Sequence, residues 1–250
     1  MTLHGPYTLA QRVAAWSVHA FTASAAVVGL LTLYAIYQQE YINALWWMGL
    51  AVFIDAIDGT FARLFHVKSV CPKIDGALLD NIVDYLNYVI TPCFLFLLDR
   101  DLLPDGWRLF IVAAIALASS YQFTQSDAKT PDHFFKGFPS YWNIVAFYLI
   151  LFTTSSLTNA VILLTCVVLV FVPIKYVYPS RLDYLTSLPW LRKLMLIASV
   201  TYGIVSIALL WTFPDKHPLL LFYTLAYIIF YLGFSLYRTV VPMPHTEHLA

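Results

Sequence analysis

The chain has 250 residues, 60% hydrophobic and only 11% charged, with a formal net charge of zero. Soluble domains average roughly 45–50% apolar and about 25% charged, so the composition excludes an ordinary soluble domain and predicts an all-α, polytopic integral membrane bundle. The neutral charge also argues against nucleic acid as a partner.

Residues 1–15 hold Pro6, Gln11 and Arg12 beside Tyr7 and Val13, the pattern of a short interfacial helix. No removable signal peptide is expected. A first span is predicted over Trp16–Tyr37, where Ala23, Ser24, Ala25, Ala26 and Gly29 permit close packing. His19 and Thr22, near its start, read as packing or interface polar groups, with nucleotide contact as the alternative. After the turn Gln38–Glu40, a second helix covers Asn43–Arg63. The polar stretch Leu64–Asp75 contains His66, Lys68, Pro72 and Lys73 and reads as a loop. A third helix runs Gly76–Leu98, with a kink expected at Pro92.

Further spans are predicted over Trp107–Phe123, Trp142–Phe152, Ala160–Tyr176, Leu191–Phe213 and Leu219–Tyr237, about eight in all. The loop Gln125–Ser140 holds Asp127, Lys129, Asp132, His133 and Lys136 and ends in aromatic residues that read first as an interfacial belt. Tyr178, Pro179, Ser180 and Arg181 open another loop, and 239–250 is a polar tail with Pro242, Pro244, His245, Glu247 and His248. Cys71, Cys93 and Cys166 are widely spread and form no metal-ligand pattern. No repeat, linker or second-domain boundary is visible, so 1–250 is expected to be a single domain.

Chemistry concentrates between Asp55 and Asp84. Side chains three and four apart share a helix face. Asp55, Asp58, Gly59 and Ala62 therefore form a stripe on the second helix, and Gly76, Asp80 and Asp84 one on the third. Facing stripes of carboxylates repel unless cations neutralise them, and oxygen-only ligands suit Mg²⁺ or Mn²⁺. An Asp in an apolar span costs about 2.5–3.5 kcal/mol at the bilayer centre. Aligned Asp residues thus favour function over chance. Arg63 carries a donor fork suited to phosphate. The residues alone give a metal–phosphate site at a membrane surface.

This spacing resembles the D-x-x-D-G-x-x-A-R … G-x-x-x-D-x-x-x-D signature of the CDP-alcohol phosphotransferase family, and every specified residue is present. The gap from Leu64 to Asp75 is longer than usual and resembles that of a branch of the family, the bacterial phosphatidylcholine synthases. The resemblance implies a six-helix core plus two helices. It also implies a two-metal site of Mn²⁺ or Mg²⁺ held by Asp55, Asp58, Asp80 and Asp84, with Asp84 as general base. Asp58, Gly59, Ala62, Arg63 and Gly76 are implied as the CDP-binding residues. CDP-diacylglycerol is the implied donor and choline the implied acceptor; serine, an inositol phosphate and glycerol phosphate are the alternatives. A homodimer in the bacterial inner membrane is implied as well.

A choline cation prefers aromatic faces, which makes Tyr85, Tyr88, Tyr141 and Trp142 candidates for its site. With eight spans, eleven of the fourteen Lys and Arg residues fall on the side of the termini and the motif loop. That bias predicts a cytosolic active site and cytosolic termini. A cation transporter using the Asp cluster is a competing reading, disfavoured because transport sites sit near the bilayer midplane. An intramembrane prenyltransferase is another, disfavoured by the absence of two separate Asp-rich motifs.

Overall fold

The computed structural model describes residues 7–132, 134–178, 186, 188–215 and 217–241. Pro6, His133, Pro179, Ser180, Arg181, Lys216 and the tail from Pro242 lie outside the described residues. The residues group into two compact units, Met1–Val112 with Trp142–Tyr148 and Ala113–Tyr141 with Leu149–Ala250.

In the first unit, α1 (Leu9–Tyr37) begins earlier than the predicted Trp16. Thr8 and Gln11 close a reciprocal capping box that starts the helix there. The residues from Leu9 onward are therefore the first turns of α1, not a separate interfacial helix. α2 (Tyr41–Leu64) is followed by the short α3 (Val67–Val70) inside the predicted loop. Asp75 then caps α4 (Gly76–Asp84), its Oδ1 accepting from the Ala77 and Leu78 N–H groups at 3.1 Å each. Such a cap contributes about 1 kcal/mol and fixes where the second half of the motif starts.

α4 runs through a π turn (Tyr85–Ile90) into α5 (Thr91–Leu98), so Gly76–Leu98 is one continuous helix. Proline has no N–H, and its ring presses on the carbonyl four residues back. Pro92 thus conflicts with Tyr88 in an α-helix, and the wider π turn lies at that place. Asn87, buried in the π turn, donates from Nδ2 to the Val83 carbonyl at 2.8 Å and to the Ala25 carbonyl of α1 at 2.9 Å. Small and branched residues weld the three main helices together: Ala25 and Val28, Ala51 and Ile54, and Val83. Side chains of this size let helices approach closely without a hydrophobic drive.

The second unit contains most of α6 (Arg108–Thr124), β1 (Phe135–Lys136), α8 (Ser156–Phe171), β2 (Lys175–Tyr176), α9 (Pro189–Trp211) and α10 (Pro218–Val240). α7 (Trp142–Phe152) divides between the units. The two strands pair antiparallel, Phe135 opposite Tyr176, a feature the all-α expectation does not contain. Gly137 at φ +80° sits so close to α8 that a Cβ would overlap the Val170 carbonyl oxygen. α9 and α10 are joined by a Ser199–Tyr227 hydroxyl pair at 2.8 Å and a stacked Tyr202–Tyr227 pair.

α1, α2, Gly76–Leu98, α9 and α10 are each long and apolar enough to cross a membrane. α6, α7 and α8 are shorter apolar helices. All eight fall at predicted segments, but only five among the described residues have the length of a span, and α8 ends at Phe171, short of the predicted Tyr176, which lies in β2. The chain is a polytopic helical membrane protein.

Candidate active site

α2 and α4 present their motif faces to one another within the first unit. Oxygens of Asp55, Asp80 and Asp84 all lie within 4.8 Å of one another, and all three residues are partly buried. The 3.6-residue period explains the convergence: Asp80 and Asp84 are one turn apart on α4, and Asp55 meets them from α2. The donor set is three hard carboxylate oxygens on two rigid helices, which fits a hard divalent cation.

Asp58 is not among these three. It is only 6% exposed, one turn further along α2. Thr22 of α1 and the Gly59 N–H lie beside its carboxylate, and the Arg63 charge faces it. Arg63 itself is exposed at the end of α2 and donates from Nη2 to Thr60 Oγ1 at 3.0 Å. A Cβ at Gly59 would touch only Arg63 Nη1, at 3.5 Å. Gly76 opens α4 against α1, where a Cβ would lie 3.3 Å from His19 Cε1. Ala62 packs at the edge of a buried cluster of Ala15, Val18, Val67 and Cys71.

The four aromatic candidates divide between the two units. Tyr88 is 6% exposed, and its hydroxyl donates to Asp55 Oδ2 at 2.7 Å. Tyr85 is partly buried in the π turn directly after Asp84. Trp142 is fully buried at the start of α7. Tyr141 belongs to the second unit, where its ring meets Phe135 edge-on. The Lys129 ammonium stands over the Phe135 ring at 5.8 Å and the Tyr178 ring at 5.4 Å.

Sequence reasoning did not find the link between Tyr88 and Asp55. Tyr88 stands one turn after Asp84 on the same face, so helical spacing brings its hydroxyl toward the carboxylate stripe. His19 and Thr22 read as packing groups, yet they border Gly76 and Asp58.

The CDP-alcohol phosphatidyltransferase family model matches residues 17–172, which include every motif residue. The chain is 58% identical to a phosphatidylcholine synthase of Legionella pneumophila over 238 residues, covering 95% of this chain and 93% of that one. It is 55% identical to a phosphatidylcholine synthase of Legionella bozemanae over 217 residues, covering 87% of this chain and 100% of that one. A phosphatidylcholine synthase of Borreliella burgdorferi is 42% identical over 169 residues, covering 68% and 72% respectively. A carboxylate triad on the family's own spacing and a family match over most of the chain agree: this protein belongs to the CDP-alcohol phosphatidyltransferase family.

Proposed function

We propose that the protein transfers the phosphatidyl group of CDP-diacylglycerol to choline, giving phosphatidylcholine and CMP. The observation that carries this reading is the convergence of Asp55, Asp80 and Asp84 within 4.8 Å at the signature spacing. The similarity to phosphatidylcholine synthases supplies donor and acceptor.

Asp55, Asp80 and Asp84, with Asp58 one turn away, would hold Mn²⁺ or Mg²⁺. Bound there, the ions would neutralise pyrophosphate charge and polarise the reacting oxygens. Gly59 leaves room for the nucleotide, Ala62 and Gly76 are the small residues proposed to border it, and Arg63 offers guanidinium donors to phosphate. Asp84 accepts the choline hydroxyl proton as that oxygen attacks the lipid-bearing phosphorus. A new P–O bond forms to choline, the P–O bond of the anhydride breaks, and CMP leaves with the bridging oxygen. Catalysis is then mostly positioning and charge stabilisation, as is general for phosphoryl transfer.

The basic bias of the motif-side loops supports a cytosolic active site in the bacterial inner membrane. Tyr85 and Tyr88, which follow Asp84 in the π turn of the first unit, remain the proposed aromatic contacts for choline. A homodimer is part of the proposal, on the family resemblance. The test is purified protein with CDP-diacylglycerol, Mn²⁺ or Mg²⁺, and labelled choline, serine, inositol phosphate or glycerol phosphate in parallel. Choline incorporation well above the others is expected. Incorporation of serine without choline would overturn the acceptor and leave the metal-site argument standing.

A further inference from the structure

The turn between α1 and α2 stands at the opposite end of α2 from the motif. Gln39 takes a left-handed conformation there at φ +63°, and the Glu40 N–H donates to the Ala35 carbonyl at 2.9 Å, so the backbone sets the place of Glu40. Asp55 follows about 22 Å further along α2, at 1.5 Å per residue. Beside the turn, Tyr34 of α1 and Trp46 and Trp47 of α2 line a hollow of about 620 Å³ together with Glu40 and Asn43. That size lies within the roughly 300–1,000 Å³ of ligand sites. Among the described residues, Glu40 is the one charged group of the lining. Its Oε2 accepts from Asn43 Nδ2 at 2.8 Å. The ion pairs among the described residues, Arg108–Asp105, Lys136–Asp127 and Lys175–Asp132, leave it out. Leu31 and Leu50, 37% and 39% exposed, add apolar wall.

We propose that this hollow binds the headgroup of a phosphatidylcholine molecule of the surrounding bilayer, at the membrane face opposite the catalytic carboxylates. A trimethylammonium group has no N–H to donate, so hydrogen-bond acceptors alone do not select it. Aromatic faces within about 6 Å do, tryptophan best, and a carboxylate supplies the opposite charge. An interfacial belt accounts for rings at that depth; here rings from two helices share one hollow with an acid. An anionic headgroup would meet Glu40 with like charge. Leu31 and Leu50 offer apolar surface to acyl chains, which favours the lipid over free choline. Naming the lipid rests on the product proposed above, while the hollow itself lies outside that site.

The experiment gives full-length protein in detergent equal amounts of phosphatidylcholine and phosphatidylglycerol with the same acyl chains, and reads bound lipid by native mass spectrometry. Wild type should retain phosphatidylcholine in preference. Glu40→Gln keeps an acceptor for Asn43 and loses the charge. Tyr34→Leu removes an aromatic face at a position 61% exposed, and Tyr34→Phe keeps that face. Glu40→Gln and Tyr34→Leu should each reduce the preference about fivefold, while Tyr34→Phe retains it. Phosphatidylcholine synthesis should stay at the wild-type rate in all three. No preference in wild type, or an unchanged preference in either Glu40→Gln or Tyr34→Leu, would overturn the proposal and leave an aromatic belt. Displacement of the lipid by millimolar choline chloride from wild type but not from Glu40→Gln would also overturn it, in favour of a free-choline site. Choline transfer that fails in wild type while the lipid preference holds would overturn the proposed reaction and leave this site standing.

Discussion

The Tyr88 hydroxyl donates a 2.7 Å hydrogen bond to Asp55 Oδ2, tying the π turn after α4 to the carboxylate of α2. Outer partners of metal ligands orient them, and their loss typically costs about 10–100-fold in metal affinity or activity. Tyr88→Phe keeps the ring and removes only the donor. Mn²⁺ titration followed by electron paramagnetic resonance should show weaker binding by about tenfold or more, with the choline KM near wild type. Unchanged Mn²⁺ binding would show that the Tyr88 hydroxyl does not orient Asp55 for the metal.

Two glycines separate packing from ligand space. At Gly59 an added Cβ makes an ordinary 3.5 Å contact with Arg63, so the protein itself accepts alanine. Alanine also favours a helix interior by about 0.8–1.0 kcal/mol over glycine. Gly59→Ala should therefore match or exceed the wild-type Tm. Overpacking costs about 1–3 kcal/mol, so its CMP affinity should fall about tenfold. CMP affinity equal to wild type would remove Gly59 from the nucleotide pocket.

Gly29 behaves in the opposite way. A Cβ there would sit 2.7 Å from Leu86 Cδ2 and 3.1 Å from Asn87 Oδ1, where α1 crosses the π turn. Asn87 is anchored by two hydrogen bonds and has little freedom to yield. Gly29→Ala should lose about 1–3 kcal/mol of stability, seen as a lower Tm in detergent. A Tm equal to wild type would show that the crossing has slack.

Asp99, in the loop after α5, gives a pH-dependent test. Burial pushes its carboxyl above the usual range, and the nearby Asp101 charge adds to this. The Asp101 and Leu102 N–H groups and the Arg108 charge oppose it. A raised folded value favours the protonated form. Its stabilising contribution is full below the unfolded value of about 3.9 and is lost as pH rises through the folded value. Ionised Asp99 is thus a cost at neutral pH. Asp99→Asn should raise the Tm at pH 7, with the gain shrinking toward pH 4, because Asn can still accept the Asp101 N–H. A lower Tm at pH 7 would contradict the burial argument.

The sequence made some of this legible and hid the rest for physical reasons. The carboxylate stripes follow from helical period alone, and Asp55, Asp80 and Asp84 converge as that period requires. The apolar runs located the spans, with boundaries near those observed for the third helix and α7. α1 starts earlier than its apolar run because Thr8 and Gln11 close a capping box within the more polar residues ahead of that run. The π turn is a response to Pro92 within a packed helix, and its extent depends on Asn87 reaching Ala25, a contact 62 residues away in sequence. The pairing of Phe135 with Tyr176 is likewise non-local, and two-residue strands leave no alternation to read. Asp58 sits on the predicted stripe, yet its burial beside Thr22 is a tertiary fact that spacing does not encode.

The most direct measurement of the central claim is the stoichiometry of the full reaction. Purified protein is given CDP-diacylglycerol and labelled choline, and CMP and labelled phosphatidylcholine are quantified together, with and without chelator, for wild type and for Asp80→Asn. The expected result is equimolar CMP and phosphatidylcholine, lost on chelation, restored by Mn²⁺ or Mg²⁺, and absent in a folded Asp80→Asn. CMP release without labelled lipid, turnover that survives chelation, or full activity in Asp80→Asn would contradict it.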